Sequence, residues 1–241
     1  MLKPLIPHGL TLANLLFGLI GIVYASRGFN NNEAQIILLL VGLSLLADAF
    51  DGAAARMLGV SGELGKQLDS LADVVSFGVL PGMAIYMQWQ NPEAGIFQPA
   101  LLAFLIPLGA AVRLGRFNID TRQGSYFIGL PSPSQAIASI GFLFFYEDIQ
   151  ALQAYGTAIP WLVLGVFSAL MCWAMNTERL TLPSTKSLKE EGGKKTLIIS
   201  AIIAIPLIFI LREKSLPIII LLYLLTSGLF FKPSTKEKDN I

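Results

Sequence analysis

Cysteine, histidine and charged side chains are all scarce in this 241-residue chain. The single cysteine, Cys172, excludes a disulfide within the chain and a thiolate metal cluster. The single histidine, His8, excludes a histidine-rich metal site. Charged residues make up 14% and hydrophobic residues 54% of the chain, whereas about 25% of an average soluble domain is charged. This composition argues against a soluble globular protein.

The chain contains long runs of apolar residues. A bilayer crossing needs about 20 mostly apolar residues, and we identify eight candidate spans: 10–26, 35–54, 70–88, 99–117, 132–148, 158–176, 196–211 and 216–231. The first is expected to be a retained helix and not a signal peptide, because only Lys3 precedes it. The sequence therefore predicts an all-α integral membrane protein with about eight transmembrane helices.

The basic residues are distributed unevenly about these spans. Eight spans put both termini on one side, which then carries fourteen of the seventeen lysines and arginines. The other side carries only Arg27, Arg212 and Lys214. Because basic loops stay cytoplasmic, we expect a multi-pass protein of the cytoplasmic membrane. Both termini and the loops after the second, fourth and sixth spans would face the cytoplasm.

A polar segment interrupts the apolar pattern late in the chain. Residues 178–195 predict a cytoplasmic linker that follows a membrane domain of residues 1–177. Residues 196–231 would add two C-terminal transmembrane helices, and residues 232–241 would form a cytoplasmic tail. The sequence assigns no function to the two added helices.

Four aspartates interrupt the second and third apolar runs. Asp48 and Asp51 are three residues apart, and Asp69 and Asp73 are four apart, so each pair shares a helix face. A short connection with three glycines predicts antiparallel neighbours whose carboxylates face each other. Oxygen ligands alone favour hard cations such as magnesium, manganese or calcium. Bound cations and their phosphates would offset the cost of carboxylates in the membrane.

The residues around the aspartates leave room for a ligand. Gly52 and Ala55 are small, and Gly65 lies four residues before Asp69 on the same helix face. Arg56 lies one turn beyond Gly52, where its planar guanidinium would reach a phosphate.

Together these residues form the pattern D-x2-D-G-x2-A-R-x8-G-x3-D-x3-D. It resembles the signature of the CDP-alcohol phosphotransferases, which join an alcohol to a phosphate-linked lipid and release CMP. The resemblance implies a homodimer whose six-helix membrane core, here with two extra C-terminal helices, opens to the cytoplasm. It implies two Mg²⁺ or Mn²⁺ ions held by Asp48, Asp51, Asp69 and Asp73, with Asp73 also the general base. The CDP moiety would lie against Asp48, Gly52, Ala55, Arg56 and Gly65.

Two further stretches resemble the phosphatidylserine synthases of that family. The first, IPHGLTLANLLFG, is similar to their P-N-x-x-T-x-x-N opening, with His8 where asparagine is usual. It implies that Thr11 contacts CDP and that Asn14 belongs to the site. The second, VRLGRFNIDTRQGSYFIGLPSPSQA, is similar to R-L-A-R-F-N followed by F-x-G-L-P-x-P. Since a guanidinium binds a carboxylate with two hydrogen bonds, we expect Arg113 or Arg116, helped by Asn118, to recognise the serine carboxylate. Alternatively, the arginines bind lipid headgroups or set the orientation of the protein.

The sequence therefore predicts transfer of a phosphatidyl group from CDP-diacylglycerol to L-serine, giving phosphatidylserine and CMP. Glycerol phosphate or inositol phosphate is an alternative acceptor. A cation transporter with intramembrane aspartates is an alternative of another class, although the far halves of the spans are almost wholly apolar. The expected partners are CDP-diacylglycerol, L-serine, membrane lipids and a second copy of the chain, with no nucleic acid.

Overall fold

The computed structural model describes residues 3–29, 31–120, 126–183 and 191–231. Within them, six stretches are long and apolar enough to cross a membrane, and the last of these, Gly192–Phe230, contains two helices. The predicted all-α membrane fold is confirmed. The tail 232–241 and linker residues 184–190 lie outside the described part of the chain.

The first three apolar runs form a unit that positions the aspartates. Helix α1 spans Leu5–Ala25 and α2 spans Asn31–Leu58. Helix α3, Glu63–Asp73, continues through a π-helical segment, Val74–Val79, into α4, Leu80–Trp89. Helix α1 packs against α2, α3 and α4. The carboxylates of α2 and α3 therefore lie beside the first half of α1.

A glycine turn brings α2 back into α3. Gly59 has a φ of +64°, and the Val60 N–H bonds to the Ala55 carbonyl over 3.0 Å. This is the hydrogen-bond pattern of a Schellman C-cap, which favours glycine at the left-handed position. The chain reverses within a few residues, so both aspartate pairs come to the same end of the helices.

The π-helical segment follows directly after Asp73. Pro81, near the start of α4, has no N–H to donate and cannot complete an ordinary helical turn. The preceding turn is wider, and the Leu80 N–H bonds to the carbonyl of Val75, five residues back. Such single π turns are rare and are frequent at functional sites. This turn directs Ser76 toward α1.

The helix of residues 105–119 packs closely against the helix of residues 159–176 and against the π-helical segment. Helix α5 spans Leu105–Ile119 after a 3₁₀ stretch, and α8 spans Ile159–Asn176. A Cβ added to Gly109 would lie 2.9 Å from the Cys172 sulfur, and one added to Gly78 would lie 2.9 Å from the Ala110 Cβ. Small residues thus allow the close helix approach that is typical of membrane interiors.

The fifth apolar run is shorter as a helix than predicted. Helix α6, Ser132–Leu143, has 12 residues, and a turn separates it from the short helix α7, Tyr146–Ala151. At 1.5 Å per residue, α6 is about 18 Å long, less than the roughly 30 Å hydrocarbon core.

Two short strands pair with each other in segments that were expected to be loops. One strand precedes α6, and the other follows α8. Strand β1, Tyr126–Ile128, pairs antiparallel with β2, Thr181–Pro183, with Phe127 opposite Leu182. Gly129 follows at a φ of +73°, and a Cβ there would overlap the Met175 carbonyl. Strand pairing within a polar loop depends on a partner segment about 50 residues away, which local sequence patterns do not reveal.

The C-terminal helices form a hairpin. Helix α9 spans Glu191–Leu211 and begins before the predicted residue 196, while α10 spans Ser215–Phe230. The hairpin contacts the rest of the molecule at its turn and along α10. Lys214 pairs with Asp148 of α7, and the Tyr223 hydroxyl donates to the Pro183 carbonyl over 3.2 Å.

Candidate active site

Three of the four predicted carboxylates form one group. Single oxygens of Asp48, Asp51 and Asp69 all lie within 4.8 Å of one another. The carboxyl groups of Asp48 and Asp69 are within hydrogen-bond distance of each other, and Asp51 is buried. Three carboxylates this close repel one another unless a cation lies among them.

The donor set of this group is suited to a divalent cation. All of its atoms are carboxylate oxygens, the ligands that Mg²⁺ and Mn²⁺ prefer. Asp69 Oδ1 is buried and receives no hydrogen bond from the described residues. A buried carboxylate oxygen normally accepts a hydrogen bond or binds a cation, and a metal ion would supply the missing partner. The group can therefore hold a metal.

Asp73 lies beside this group but not within it. Its carboxylate is buried, and its Oδ1 accepts a hydrogen bond of 3.1 Å from Asn14 Nδ2. It is close enough to experience the charges of Asp48, Asp69 and Asp51. The other Asp73 oxygen takes no part in this bond. The structure thus distinguishes Asp73 from the three clustered aspartates.

Helix α1 contributes two polar side chains to the aspartates. The Thr11 hydroxyl lies 2.5 Å from Asp51 Oδ2 and 3.1 Å from the Pro7 carbonyl. Asn14, one turn later, donates to Asp73. Both side chains are buried. One turn of α1 therefore orients one carboxylate of α2 and one of α3.

An open cavity of about 280 Å³ lies between the start of α1, the end of α2 and the start of α3. Two members of the carboxylate group, Asp51 and Asp69, form part of its wall. The residues predicted to contact CDP that line it are Thr11, Gly52, Ala55, Arg56 and Gly65. Among the described residues, Asp48 does not line this cavity, but its carboxyl group contacts that of Asp69, which does.

His8 and Lys66 also line the cavity, although neither is among the residues predicted to contact CDP. A Cβ added to Gly65 would lie 3.6 Å from His8 Nε2, so the imidazole lies over this glycine. Lys66 follows Gly65 directly in the motif. Its place next to a motif glycine is the sequence feature that could have predicted Lys66 as a cavity residue. Together with Arg56, these side chains add basic groups to a cavity that Asp51 and Asp69 also line.

The three residues predicted to bind serine lie in different surroundings. Arg113 is 7% exposed and experiences the charge of Asp73. Its Nε has no hydrogen-bond partner within the described ranges. Arg116 is exposed, and its Nη1 donates to the Asn176 carbonyl over 3.2 Å. The structure brings only Arg113 of the two arginines to the aspartates.

Asn118 connects the end of α5 to α3. Its side-chain amide donates to Ser70 Oγ over 2.8 Å, and its main-chain carbonyl accepts from the Lys66 ammonium over 2.7 Å. Ser70 is the neighbour of Asp69 in the chain. Asn118 thus contacts the helix that carries the carboxylates, on the side next to the cavity-lining Lys66.

Comparison with known proteins identifies the family. Residues 4–167 match the profile of the CDP-alcohol phosphatidyltransferases. A CDP-diacylglycerol–serine O-phosphatidyltransferase of Bacillus subtilis (strain 168) is 35% identical over 154 residues, which are 63% of this chain and 81% of the relative. The enzyme of that name from Methanocaldococcus jannaschii is 36% identical over 132 residues, 55% of this chain and 57% of the relative.

A third relative extends over most of the chain. A CDP-diacylglycerol–serine O-phosphatidyltransferase of Helicobacter pylori (strain ATCC 700392 / 26695) is 28% identical over 223 residues, 92% of this chain and 88% of the relative. The matched profile spans the carboxylates of α2 and α3, Thr11 and Asn14 of α1, and Arg113 of α5. The chain therefore belongs to the CDP-alcohol phosphatidyltransferase family of membrane enzymes and is a phosphotransferase.

Proposed function

We propose that this protein transfers the phosphatidyl group of CDP-diacylglycerol to the hydroxyl of L-serine, giving phosphatidylserine and CMP. The observation that carries the proposal is the buried Arg113 guanidinium, which experiences the charge of Asp73. Asp73 in turn experiences the charges of the three clustered aspartates. The names of the relatives support the same acceptor.

The diphosphate of CDP-diacylglycerol would lie in the cavity. The basic side chains Arg56, Lys66 and His8 offer donors to phosphate oxygens. The small residues Gly52 and Ala55 leave space beside them. Asp48, Asp51 and Asp69 would hold two Mg²⁺ or Mn²⁺ ions, and Asp73 would take part in both metal binding and catalysis. Such ions, when bound, neutralise phosphate charge and stabilise the leaving group.

Asp73 would act as the general base. The Asn14 amide holds its Oδ1, which leaves its second oxygen to accept the proton of the serine hydroxyl. The serine oxygen then forms a bond to the phosphorus that carries diacylglycerol. The bond between this phosphorus and the bridging oxygen breaks, and CMP leaves. The proton resides on Asp73 until the site exchanges with solvent.

Arg113 would select the acceptor. A buried guanidinium without a partner on Nε can form two charge-assisted hydrogen bonds to a carboxylate. Binding the serine carboxylate there would place the serine hydroxyl near Asp73. Arg116 and Asn118, the other predicted serine contacts, would act from the mouth of the site. An acceptor with a phosphate would need more positive charge beside Asp73.

We further propose that the site faces the cytoplasm and that the enzyme is a homodimer in the cytoplasmic membrane. Arg56, Lys66, Arg113 and Arg116 all lie at the carboxylate end of the helices, which supports this orientation. The dimer rests on the family resemblance alone.

A transfer assay with purified full-length protein tests the acceptor. CDP-diacylglycerol and Mn²⁺ are supplied with serine, glycerol phosphate or inositol phosphate in parallel, and both CMP and the lipid product are measured. We expect CMP release that depends on serine and is lost in Asp73→Asn. Transfer to another alcohol in place of serine would contradict the acceptor and the role of Arg113. The absence of any transfer in folded protein would contradict the mechanism.

A further inference from the structure

A main-chain carbonyl of α1 accepts hydrogen bonds from two other elements. The Asn14 carbonyl accepts from Ser76 Oγ over 2.9 Å and from Ser44 Oγ over 3.2 Å. Ser76 belongs to the π-helical segment and Ser44 to α2. All three residues are 0% exposed. In a membrane, such bonds join helices that the hydrophobic effect does not hold together.

The side chain of the same residue holds Asp73. The Asn14 amide donates to Asp73 Oδ1, whereas Asn14 Oδ1 is buried and receives no donor from the described residues. Within the described residues, that oxygen has no hydrogen bond that would help to orient the amide. The position of the Asn14 amide therefore depends on the position of the main chain in this turn of α1. The two serines hold that main chain.

The close approach of α1 to Ser76 depends on a glycine. A Cβ added to Gly18 would lie 2.9 Å from the Cα of Ser76, and main-chain atoms cannot move aside as a side chain can. Gly18 follows Asn14 by one turn. Ser76 follows Asp73 by three residues, across the start of the π-helical segment. The contact thus sets the distance between the Asn14 amide and the Asp73 carboxylate.

We propose that Ser76 and Ser44 are positioning residues of the enzyme. They fix the Asn14 turn of α1, and the Asn14 amide in turn fixes the Asp73 carboxylate against the acceptor hydroxyl. The inference rests on the proposed role of Asp73 as base, but it does not depend on which alcohol is the acceptor.

We call this series of contacts, from the two serines through Asn14 to Asp73, the relay. It is tested by the kinetics of three variants of the full-length protein, with whichever acceptor the wild type uses: Ser76→Ala, Ser44→Ala and Asn14→Ala. Loss of one hydroxyl is expected to lower kcat about fivefold, with KM for CDP-diacylglycerol changed less than twofold. Asn14→Ala is expected to lower kcat by about 10²-fold, because a misplaced group of the site has an effect of that size. Ser168→Ala is the matched control, since Ser168 is 0% exposed and its hydroxyl has no partner within the described ranges.

The decisive measurement is a double-mutant cycle. If Ser76 acts through Asn14, then Ser76→Ala has little further effect on kcat once Asn14→Ala is present. A purely structural role would lower the folded fraction in both backgrounds and leave kcat per folded enzyme unchanged. The same cycle with Ser44→Ala gives a second test should Ser76→Ala fold poorly.

Two results would overturn the inference while the wild type remains active. One is a kcat for both serine variants equal to that of Ser168→Ala. The other is an unchanged fivefold loss from Ser76→Ala in the Asn14→Ala background. A wild type that transfers to no alcohol would instead overturn the proposed function, and the relay with it. The two failures are therefore distinguishable.

Discussion

The two ends of the helix bundle are built on opposite principles. At the carboxylate end, side chains meet through hydrogen bonds and charge around a cavity. At the other end, an aromatic cluster fills the space: Trp89, Phe142, Tyr146, Trp161 and Phe167. The rings of Phe142 and Phe167 stack with centroids 4.0 Å apart. Stability and chemistry are thus separated along the same helices.

The largest expected effect comes from the carboxylate end. Asp51→Asn or Asp69→Asn removes a charged ligand, and the loss of several kcal/mol of charge stabilisation corresponds to roughly a 10³-fold lower rate. Removal of divalent cations with a chelator is expected to lower the rate of the wild type at least as much as these substitutions do. CMP release and Mn²⁺ binding are the measurements.

Asp148→Asn is the matched control for these variants. Asp148 pairs with Lys214 near the other end of the molecule and is exposed. Its rate and Mn²⁺ affinity are expected to equal those of the wild type. An equal loss in Asp148→Asn would show that the two ends are not separate.

The aromatic cluster is expected to affect stability and leave the chemistry intact. Phe167→Ala leaves a cavity beside the stacked Phe142 ring, and such substitutions destabilise by about 3 kcal/mol or more. Thermal unfolding in detergent measures the loss, with the 95% exposed Phe97→Ala as control. The kcat per folded molecule should stay within twofold of the wild type. A large fall in kcat at unchanged Tm would contradict the separation.

A smaller effect is expected from the buried arginine beside the base. Arg113→Lys keeps the charge but loses the planar, two-bond geometry, which predicts roughly a tenfold higher KM for serine. The KM for CDP-diacylglycerol should change little. Arg27→Lys is the matched control, because the exposed Arg27 lies over the Tyr24 ring beyond the far end of α1. Equal changes in both variants would contradict the assignment of serine recognition to Arg113.

The smallest effect is expected at His8. His8→Asn introduces the side chain of the P-N-x-x-T-x-x-N pattern that this stretch resembles, and either side chain offers a hydrogen-bond donor over Gly65. The kcat/KM for CDP-diacylglycerol should therefore change less than about threefold, roughly the contribution of a weak hydrogen bond. A change of tenfold or more would show that the imidazole has a role of its own at the cavity.

Much of the fold and of the site could be predicted from local patterns. The apolar runs locate the helices because bilayer thickness fixes their length. The spacings of Asp48, Asp51 and Asp69 bring their carboxylates together because α2 and α3 are antiparallel neighbours. The length of α6 and the pairing of β1 with β2 could not be predicted in this way. Both depend on contacts between segments far apart in the chain.

The sequence by itself determined the membrane fold, the family and the acidic motif, since hydropathy and fixed spacing are properties of consecutive residues. Only the tertiary structure decided which side chains serve each carboxylate. Asp73 is held by Asn14, 59 residues earlier in the chain. Arg113 is buried and experiences the charge of Asp73, whereas Arg116 is exposed and donates to the Asn176 carbonyl. Ser76 reaches α1 because a π turn redirects it. The reason is physical: a hydrogen bond between helices depends on how closely and at what rotation they pack, and that geometry is set by contacts such as Gly18 with Ser76.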